Sequence, residues 1–438
     1  MQWESGALIS VSVVTLGCKV NQAESTAIIA ALNEKTGYHA SEGLSTADVY
    51  VLNTCSVTAE ADRKSRQYLS KMRKLNDKCR IIVIGCSSQN NAEHFAKNNV
   101  TAIGGSENKV DFVIDNIKEI SESILHDRIL FNDYSEKNSE NCEKFSKNTQ
   151  KTRKFVKIQD GCNRFCTYCI IPYLRGRSKS VPINDIVAEC ERTDSDEIVL
   201  TGIDMSDYGK DIGSTLSELL SKLSHIQARK RISSLECEVI DEDMLSIMRE
   251  GNYCPHFHLS LQSGDDGVLK SMNRHYDTNY FYSKVELIRQ FFPNAGITTD
   301  IIVGFPTETD EKFENSCKFI EKCAFSDIHV FPYSARTGTL ASKKYKTLPK
   351  TVVEERVNKL LEIKHALHKA FIESNLGKAY TVYTEDAHDG LTEGYTQNYI
   401  KVYCSGAPCG KMIDMRLTKP YKDGAYAQII DVADNNHN

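Results

Sequence analysis

Six of the fifteen cysteines fall into two sets of three whose positions indicate metal binding. The loop set, Cys162, Cys166 and Cys169, has the spacing Cys-x3-Cys-x2-Cys and directly follows a predicted strand. Three thiolates on one short loop satisfy three irons of a [4Fe–4S] cluster and leave the fourth iron open to a small molecule. Because the loop offers no fourth Cys or His for zinc, the spacing favours a cluster over a zinc site or three unrelated buried cysteines.

The N-terminal set, Cys18, Cys55 and Cys86, follows three predicted strands at residues 10–16, 48–54 and 80–85. In a parallel sheet, neighbouring strands end side by side about 5 Å apart. We therefore expect the three thiols to gather at the edge where open α/β sheets bind ligands. They are either ligands of a second cluster or ordinary buried cysteines beside strands.

The elements that position both sets follow from hydrophobic periodicity. Helical spacing at 22–33 and 59–75 separates the first strands and predicts a doubly wound parallel sheet. A second alternation of strands and helices predicts an incomplete eight-fold α/β barrel with six β/α units, whose chemistry lies at the carboxyl ends of its strands. Its predicted strands are 155–159, 197–202, 231–236, 256–261, 296–303 and 327–333.

The remaining segments complete an α/β organisation. Residues 133–154 are polar and predict a linker, and 354–376 predict one long amphipathic helix. Short strand-like runs at 379–385, 394–403 and 425–430 predict a small antiparallel β-barrel. The expected domains are 8–132, 155–374 and 375–438.

Composition is that of a globular protein, with 40% hydrophobic and 26% charged residues. Neither a basic secretory start nor an apolar run of the roughly 20 residues that span a membrane is visible, so we expect a cytoplasmic protein. Thiols stay reduced there, which favours metal ligation over a disulfide framework. The net charge of −5 gives no overall attraction to nucleic acid, so any RNA contact must be local.

Two local features are candidates for RNA contact. Eight basic residues between positions 63 and 80 are opposed only by Asp77, and such a patch either follows an RNA backbone or is a solvated helix face. They are Arg63, Lys64, Arg66, Lys71, Arg73, Lys74, Lys78 and Arg80. The segment 375–438 is slightly acidic but holds seven tyrosines, and aromatic side chains on a sheet stack on unpaired bases.

The loop set, with Tyr168 before its last cysteine, resembles the radical S-adenosylmethionine superfamily. The resemblance implies that the cofactor's methionyl group chelates the open iron and that Tyr168 packs against its adenine. One electron then breaks a C–S bond and forms a 5′-deoxyadenosyl radical.

The chain also resembles the tRNA methylthiotransferase family over nearly its whole length. The matching motifs are 15–22 (TLGCKVNQ) with Glu24-Ser25, 53–58 (NTCSVT), 85–86 (GC) with Gln89, 161–180 (GCNRFCTYCIIPYLRGRSKS), 197–202 (EIVLTG), 258–264 (HLSLQSG), 299–309 (TDIIVGFPTET) and 329–339 (HVFPYSARTGT). Ser87-Ser88 and Ser334-Ala335-Arg336 depart from the usual Tyr-Ala and Ser-Pro-Arg, and neither departure removes a ligand. The Cys-Lys-Val-Asn-Gln version of the first motif most resembles the branch that modifies N6-threonylcarbamoyladenosine.

This resemblance implies two [4Fe–4S] clusters, S-adenosylmethionine as cofactor, and a small RNA-binding barrel (TRAM-like) at the C-terminus. The implied reaction adds a methylthio group to C2 of N6-threonylcarbamoyladenosine in the tRNA anticodon stem-loop. It needs a sulfur donor and an electron donor such as flavodoxin or ferredoxin. The alternatives are isopentenyladenosine, a ribosomal protein aspartate, or a non-catalytic iron–sulfur protein that binds RNA or senses redox state.

Further candidates lie at the ends of the predicted barrel strands. Gly202, Glu236, Gln262 and Asp300 are expected to contact the cofactor, or else are ordinary loop residues or caps. Arg175 is expected in a loop, together with Arg177, where it either meets substrate phosphate or is solvated.

Overall fold

The computed structural model describes residues 8–35, 37–121 and 153–430. The predicted linker 133–154 therefore lies outside the described residues except for its last two positions. Arg153 and Lys154 already belong to a strand, so that strand begins earlier than the predicted boundary. The division into domains at the predicted boundaries stays a prediction.

The N-terminal part is a five-stranded parallel sheet with helices on both faces. Its elements are β1 (Ile9–Thr15), α1 (Lys19–Asn33), β2 (Tyr38–Glu42), β3 (Val49–Thr54), α2 (Ala59–Leu75), β4 (Arg80–Gly85), α3 (Cys86–Asn90), α4 (Ala92–Ala96), β5 (Ala102–Ile103) and α5 (Lys109–Ser121). The strand order is β2-β1-β3-β4-β5, which confirms the predicted doubly wound sheet. Helices α1 and α5 pack on one face and α2 and α4 on the other.

β-Branched apolar side chains explain the inner strands of this sheet. All residues of β3 are buried, and so are all but the first of β4. The edge strands β2 and β5 escaped prediction because β2 reads Tyr-His-Ala-Ser-Glu and β5 has only two residues. Their pairing depends on the neighbouring strand more than on their own sequence.

The central part contains a barrel of parallel strands that is open on one side. Its elements are β6 (Arg153–Lys157), β7 (Gln159–Asp160), α6 (Ile171–Arg175), β8 (Lys179–Ser180), α7 (Ile183–Glu191), β9 (Glu197–Thr201), α8 (Leu216–Leu223), β10 (Arg229–Ile232), β11 (Ser234–Leu235), α9 (Glu242–Glu250), β12 (His256–Gln262), α10 (Asp266–Ser271), α11 (Thr278–Phe291), β13 (Gly296–Val303), α12 (Asp310–Cys323), β14 (Asp327–Pro332), α13 (Leu340–Lys344) and α14 (Lys350–Asn375).

Two runs of strands form this barrel, β6-β9-β10 and β11-β12-β13-β14. The third predicted strand, 231–236, is wrong as a single run, because the structure interrupts it at Ser233 between β10 and β11. Counting β10 and β11 as one position gives six strands, which confirms the predicted partial barrel. One large apolar core joins the strands to the surrounding helices.

The last part is a closed five-stranded barrel, which confirms the predicted barrel, although one of its strand pairs is parallel and only the others are antiparallel as expected. Its strands are β15 (Ala379–His388), β16 (Leu391–Tyr395), β17 (Lys401–Ser405), β18 (Met412–Tyr421) and β19 (Gly424–Ile429). The predicted single run 394–403 is wrong, because a turn closed by a hydrogen bond from the Ile400 amide to Thr396 Oγ1 (2.8 Å) divides it into β16 and β17. β18 was missed because its polar residues alternate with only two fully buried ones, Met415 and Leu417.

Within the described residues, the helices are all too short or too polar to cross a lipid bilayer.

Candidate functional site

The N-terminal set lies at one edge of the first sheet. Cys18 follows β1, Cys55 follows β3 and Cys86 follows β4, and these three strands are adjacent. Burial, with contributions from the thiols of Cys18 and Cys86, raises the pKa of Cys55 to about 12. Asn21 Oδ1 lies 4.0 Å from the Cys18 sulfur atom, and Arg175 contacts both that oxygen (2.8 Å) and the Cys86 sulfur atom (3.3 Å), so the structure brings this predicted set together. Metal binding here must release the thiol protons.

Gly17 and Asn21 shape this edge. Gly17 has a φ of +103°, and a side chain there would begin 2.7 Å from the Cys55 sulfur atom. The Asn21 side chain donates to the carbonyl oxygens of Leu16 (2.7 Å) and Thr54 (2.9 Å), so it joins the ends of β1 and β3. The backbone next to Cys18 and Cys55 is therefore fixed by local contacts.

The loop set lies between β7 and β8, which pair as an antiparallel ladder at the base of the loop. The Cys162 amide donates to the Gly176 carbonyl oxygen (3.2 Å), and the Cys169 amide donates to that of Cys166 (3.0 Å). Phe165, which lies between Cys162 and Cys166 in the chain, has a φ of +48°, a left-handed conformation that is unusual for an aromatic residue. This closed, partly strained loop keeps all three cysteines on one short segment.

Both cysteine sets contribute to the same region of the molecule. Cys86 packs with Ile170, Ile171 and Leu174 in one apolar cluster, and Cys169 lies against it. Burial raises the pKa of Cys169 to about 12, with Cys166 and Cys86 also raising it. The edge of the first sheet therefore faces the cysteine loop of the barrel.

The sulfur atoms of both sets are arranged more widely than the thiolates of a single zinc ion. A tetrahedral zinc site with Zn–S bonds of about 2.3 Å holds its thiolates about 3.8 Å apart. Among the described residues, in neither set do all three sulfur atoms lie within 4.8 Å of one another. Three thiolates are the donor set of a [4Fe–4S] cluster with one open iron, in which each sulfur atom binds a different iron.

Two ionic contacts surround the loop set. Arg274 Nη1 donates to the Cys166 sulfur atom (3.3 Å), and its Nη2 is ion-paired with Glu236. Arg164 pairs with Asp204 (2.8 Å), whose carboxylate lies 3.8 Å from the Cys162 sulfur atom. Glu236, predicted to contact the cofactor, is thus bound to the arginine that contacts a cysteine.

Three other predicted cofactor residues lie around the loop set. Tyr168 packs against the apolar cluster of Val268, Met272, Phe305 and Ala341, and burial raises its pKa. Gly202 follows β9, where a side chain would begin 2.9 Å from Gln159 Oε1. Gln262 ends β12 rather than following it, and its φ of +71° comes after a bulge. Strain of this kind concentrates at functional sites.

Asp300 lies on the inner face of the barrel, which we call the lumen. Alternate residues of β12, β13 and β14 face it, while their neighbours pack against the helices. His258 Nε2 is 3.3 Å from Asp300 Oδ2, and the His258 and His329 rings are 5.5 Å apart. Burial acts to raise the pKa of Asp300, but the hydrogen bond from His258 lowers it.

The lumen is polar and positively charged at its far end. His256 is buried, and neither of its ring nitrogens has a hydrogen-bond partner. Burial, then the charges of Arg231 and Lys19, hold its pKa well below the usual range. Lys19 is the first residue of α1, directly after Cys18, so the residue next to the N-terminal set is near enough to His256 to influence its pKa.

Arg175 corrects the sequence-based expectation. It is not in a solvated loop but ends α6, is 3% exposed, and contacts the N-terminal set. Its Nε donates to the Cys86 sulfur atom (3.3 Å). Sequence position gave no sign of this contact, although the Arg-Gly pair marks the end of a helix. Its neighbour Arg177 is exposed and lies over the Phe165 ring (4.6 Å).

The fold and the loop set define a radical S-adenosylmethionine enzyme. Residues 156–320 match the model of the Radical SAM superfamily, and residues 10–104 match that of an uncharacterized protein family, UPF0004. Among solved structures, the radical S-adenosylmethionine methyltransferase TsrM of Kitasatospora setae has a TM-score of 0.55 at 12% identity, with 77% of each chain covered. At this identity the likeness concerns the fold alone.

Similarity to characterised proteins narrows the class of radical S-adenosylmethionine enzyme. Threonylcarbamoyladenosine tRNA methylthiotransferase MtaB of Bacillus subtilis is 33% identical, over 97% of this chain and 98% of its own. The enzyme of the same name from Thermotoga maritima is 34% identical over the same shares. The tRNA-2-methylthio-N(6)-dimethylallyladenosine synthase of Endomicrobium trichonymphae is 30% identical, over 95% and 99%. The chain belongs to the tRNA methylthiotransferase family. As predicted, its cofactors are S-adenosylmethionine and two [4Fe–4S] clusters.

Proposed function

We propose that the protein adds a methylthio group to C2 of N6-threonylcarbamoyladenosine next to the tRNA anticodon. The observation that carries the choice of base is the polar, positively charged lumen beside Cys18. The threonylcarbamoyl substituent ends in a carboxylate, whereas the isopentenyl substituent is apolar. Lys19 favours the anion, since burying a charge is costly unless an opposite charge meets it, whereas the nearby Arg231 is already paired with Glu197.

In this proposal the loop set and the N-terminal set each ligate one cluster. When bound, the cofactors supply the radical that removes hydrogen from C2 and the sulfur that replaces it. Tyr168, Gly202, Glu236, Gln262 and Asp300 position S-adenosylmethionine. The ion pair of Arg274 with Glu236 supports this part of the proposal, because it fixes a predicted cofactor contact beside Cys166.

Two surfaces support docking of the anticodon stem-loop. Helix α2 exposes Lys64, Lys71 and Lys74 on the part of the chain that follows Cys55. The C-terminal barrel presents Tyr421 and Tyr426 with nearby lysines. Tyrosines 383, 395 and 399 instead lie against Arg229, Arg153 and Arg231 of the central barrel, so one face of each ring is already occupied.

Two features of the basic patch differ from the expectation. Arg63 pairs with Glu60 (2.5 Å), just outside the segment 63–80. Arg73 donates to the carbonyl oxygens of Asn98 and Asn99. The patch available to RNA is therefore smaller than eight charges. A sulfur donor, an electron donor such as flavodoxin or ferredoxin, and a cytoplasmic location belong to the same proposal.

Nucleoside mass spectrometry of tRNA from a deletion strain tests the proposal. We expect the methylthio form of N6-threonylcarbamoyladenosine to disappear and the unmodified form to accumulate. Loss of the methylthio form of isopentenyladenosine instead, or of a modified ribosomal protein aspartate, would assign the chain to another substrate. An iron–sulfur protein without catalysis would release no 5′-deoxyadenosine from S-adenosylmethionine after reduction.

A further inference from the structure

Arg175 belongs to the cysteine loop of the central barrel, yet its side chain enters the N-terminal set. Its Nη2 donates to Asn21 Oδ1 (2.8 Å), and its Nη1 pairs with Glu24 (3.0 Å) and Asp160 (2.9 Å). With the contact from Nε to Cys86, every nitrogen of the guanidinium has a partner. Asn21 in turn fixes the backbone before Cys18 and before Cys55. One side chain thus reaches the surroundings of all three cysteines.

Arg336 holds the same edge from a second direction. Its Nη2 donates to Ser56 Oγ (2.9 Å) and is ion-paired with Asp62. The other oxygen of Asp62 accepts a hydrogen bond from Ser87 Oγ (2.7 Å). Ser56 follows Cys55 and Ser87 follows Cys86, so this second buried arginine of the central part fixes the residues next to two cysteines.

Burying two guanidinium groups between domains is costly unless they meet charges or strong acceptors. Arg175 meets two carboxylates and a sulfur atom, and Arg274 makes the matching contact to Cys166 of the loop set at the same distance of 3.3 Å. A charged N–H donor to a ligating sulfur atom stabilises its negative charge and tunes the bound cluster.

We propose that Arg175 is a positioning residue that raises the reduction potential of the cluster held by the N-terminal set and couples that set to the radical-forming loop. The inference rests on the proposed function, in which Cys18, Cys55 and Cys86 ligate that cluster. The N-terminal site is then complete only when the central barrel is docked on it through Arg175 and Arg336.

The test uses the full chain with the loop set replaced by alanine (C162A, C166A, C169A), so that the N-terminal cluster alone gives the spectrum. In this background we compare R175M, R175K and, as control, K179M, which alters an exposed residue of the same segment. Redox titration followed by electron paramagnetic resonance should give a lower midpoint potential for R175M, an intermediate one for R175K and an unchanged one for K179M.

In the chain with both sets intact, R175M should lower methylthio transfer about 10- to 100-fold, the usual cost of removing a partner of a metal ligand. Formation of 5′-deoxyadenosine without transfer should continue. An unchanged midpoint potential in R175M overturns the inference, as does equal loss of both activities. If R175M fails to fold, the midpoint potentials of R175K and K179M are compared instead, and equal values overturn the inference. A wild-type chain with about four irons instead of about eight would refute the second cluster and thus the proposed function itself.

Discussion

Lys19 directly follows Cys18. Burial, then the charges of Arg231 and Arg153, lower its pKa to about 8, so the side chain is still mostly protonated at neutral pH. Its electrostatic neighbours include Arg231, Arg153, Asp300 and Glu197, which belong to the central barrel. The lumen next to it holds the polar group of His258, Asp300 and His329. At the residue scale, charge and polarity thus favour an anionic substituent.

Replacing Lys19 with methionine should weaken recognition of tRNA that bears N6-threonylcarbamoyladenosine. A hydrogen bond to a charged group contributes about 1.5 to 3 kcal/mol, so we expect kcat/KM to fall at least about tenfold. The iron content and the formation of 5′-deoxyadenosine should stay the same. Steady-state kinetics on a defined anticodon stem-loop measure the effect.

K35M is the matched control, because Lys35 is exposed just beyond the other end of α1. Equal kcat/KM values for K19M and K35M would remove Lys19 from substrate recognition. They would leave the proposed base untouched, since that is decided by nucleoside analysis.

Parallel strands explain how residues 37 and 31 positions apart in the chain reach one place. Cys18, Cys55 and Cys86 follow neighbouring strands, and side chains that follow such strands meet at one edge. The turns that follow these strands also determine where the cysteines lie. At Gly17, the positive φ and the closeness to Cys55 together exclude any side chain.

Gly17→Ala should therefore displace the Cys55 thiol and lower iron content from about eight to about four per chain. G43A is the control, because Gly43 has a similar φ of +93° but no atom within 4 Å of the added carbon. G43A should lose about 1 kcal/mol of unfolding free energy through backbone strain, and G17A should lose more because its added carbon also clashes with Cys55. Iron analysis after anaerobic reconstitution separates them, and an iron content near eight in G17A would contradict the steric argument.

Helix α2 is the element expected to follow the RNA backbone. Replacing Lys64, Lys71 and Lys74 with alanine should weaken tRNA binding for all sequences alike. The slope of log K against log salt should become shallower by about 1 for each phosphate that the protein no longer neutralises. Filter binding at several salt concentrations measures this slope. The same change at three exposed lysines of α14, Lys350, Lys359 and Lys369, should leave it unaltered; an equal reduction there would show that the effect is not local.

Sequence predicted these elements better than it predicted their contacts. Strands β4 and β13 have the predicted bounds, because long β-branched runs carry a strong local signal. The gathering of Cys18, Cys55 and Cys86 followed from strand order alone. The contacts of Arg175, Arg274 and Arg336 could not be predicted, because each forms only when segments far apart in the chain dock on one another. From sequence alone, an arginine is expected to be exposed to solvent.

At the scale of the whole molecule, Glu197 joins the central barrel to the C-terminal one. Its buried carboxylate pairs with Arg153 (2.8 Å), Arg229 (2.5 Å) and Arg231 (3.2 Å). Arg229 and Arg231 also donate to the carbonyl oxygens of Thr381 (3.0 Å) and Gln397 (3.1 Å). Arg153 also pairs with Glu385 of the C-terminal barrel (2.7 Å), so two carboxylates offset three cations at the junction between these two parts of the chain.

Glu197 should make the stability of this junction depend on pH in the acid range. Burial acts to raise the pKa of Glu197. The charges of Arg231, Arg229 and Arg153 nevertheless lower this pKa to about 2. A carboxyl group with a depressed pKa in the folded state stabilises the protein above its ordinary pKa of about 4.5, and this stabilisation is lost as the pH falls towards 2. The full contribution is roughly 3 kcal/mol, of which about 1 kcal/mol is lost between pH 7 and pH 3.5.

Urea unfolding at pH 7 and pH 3.5 measures this contribution. E197Q should be less stable than wild type at pH 7, because it leaves the buried Arg229 and Arg231 without their anion. Its further loss on acidification should be about 1 kcal/mol smaller than that of wild type. E314Q, which changes an exposed partner of Lys359, should follow wild type at both pH values. The same acid dependence in E197Q and wild type would mean that another carboxyl group, and not the junction, sets the acid limit of the fold.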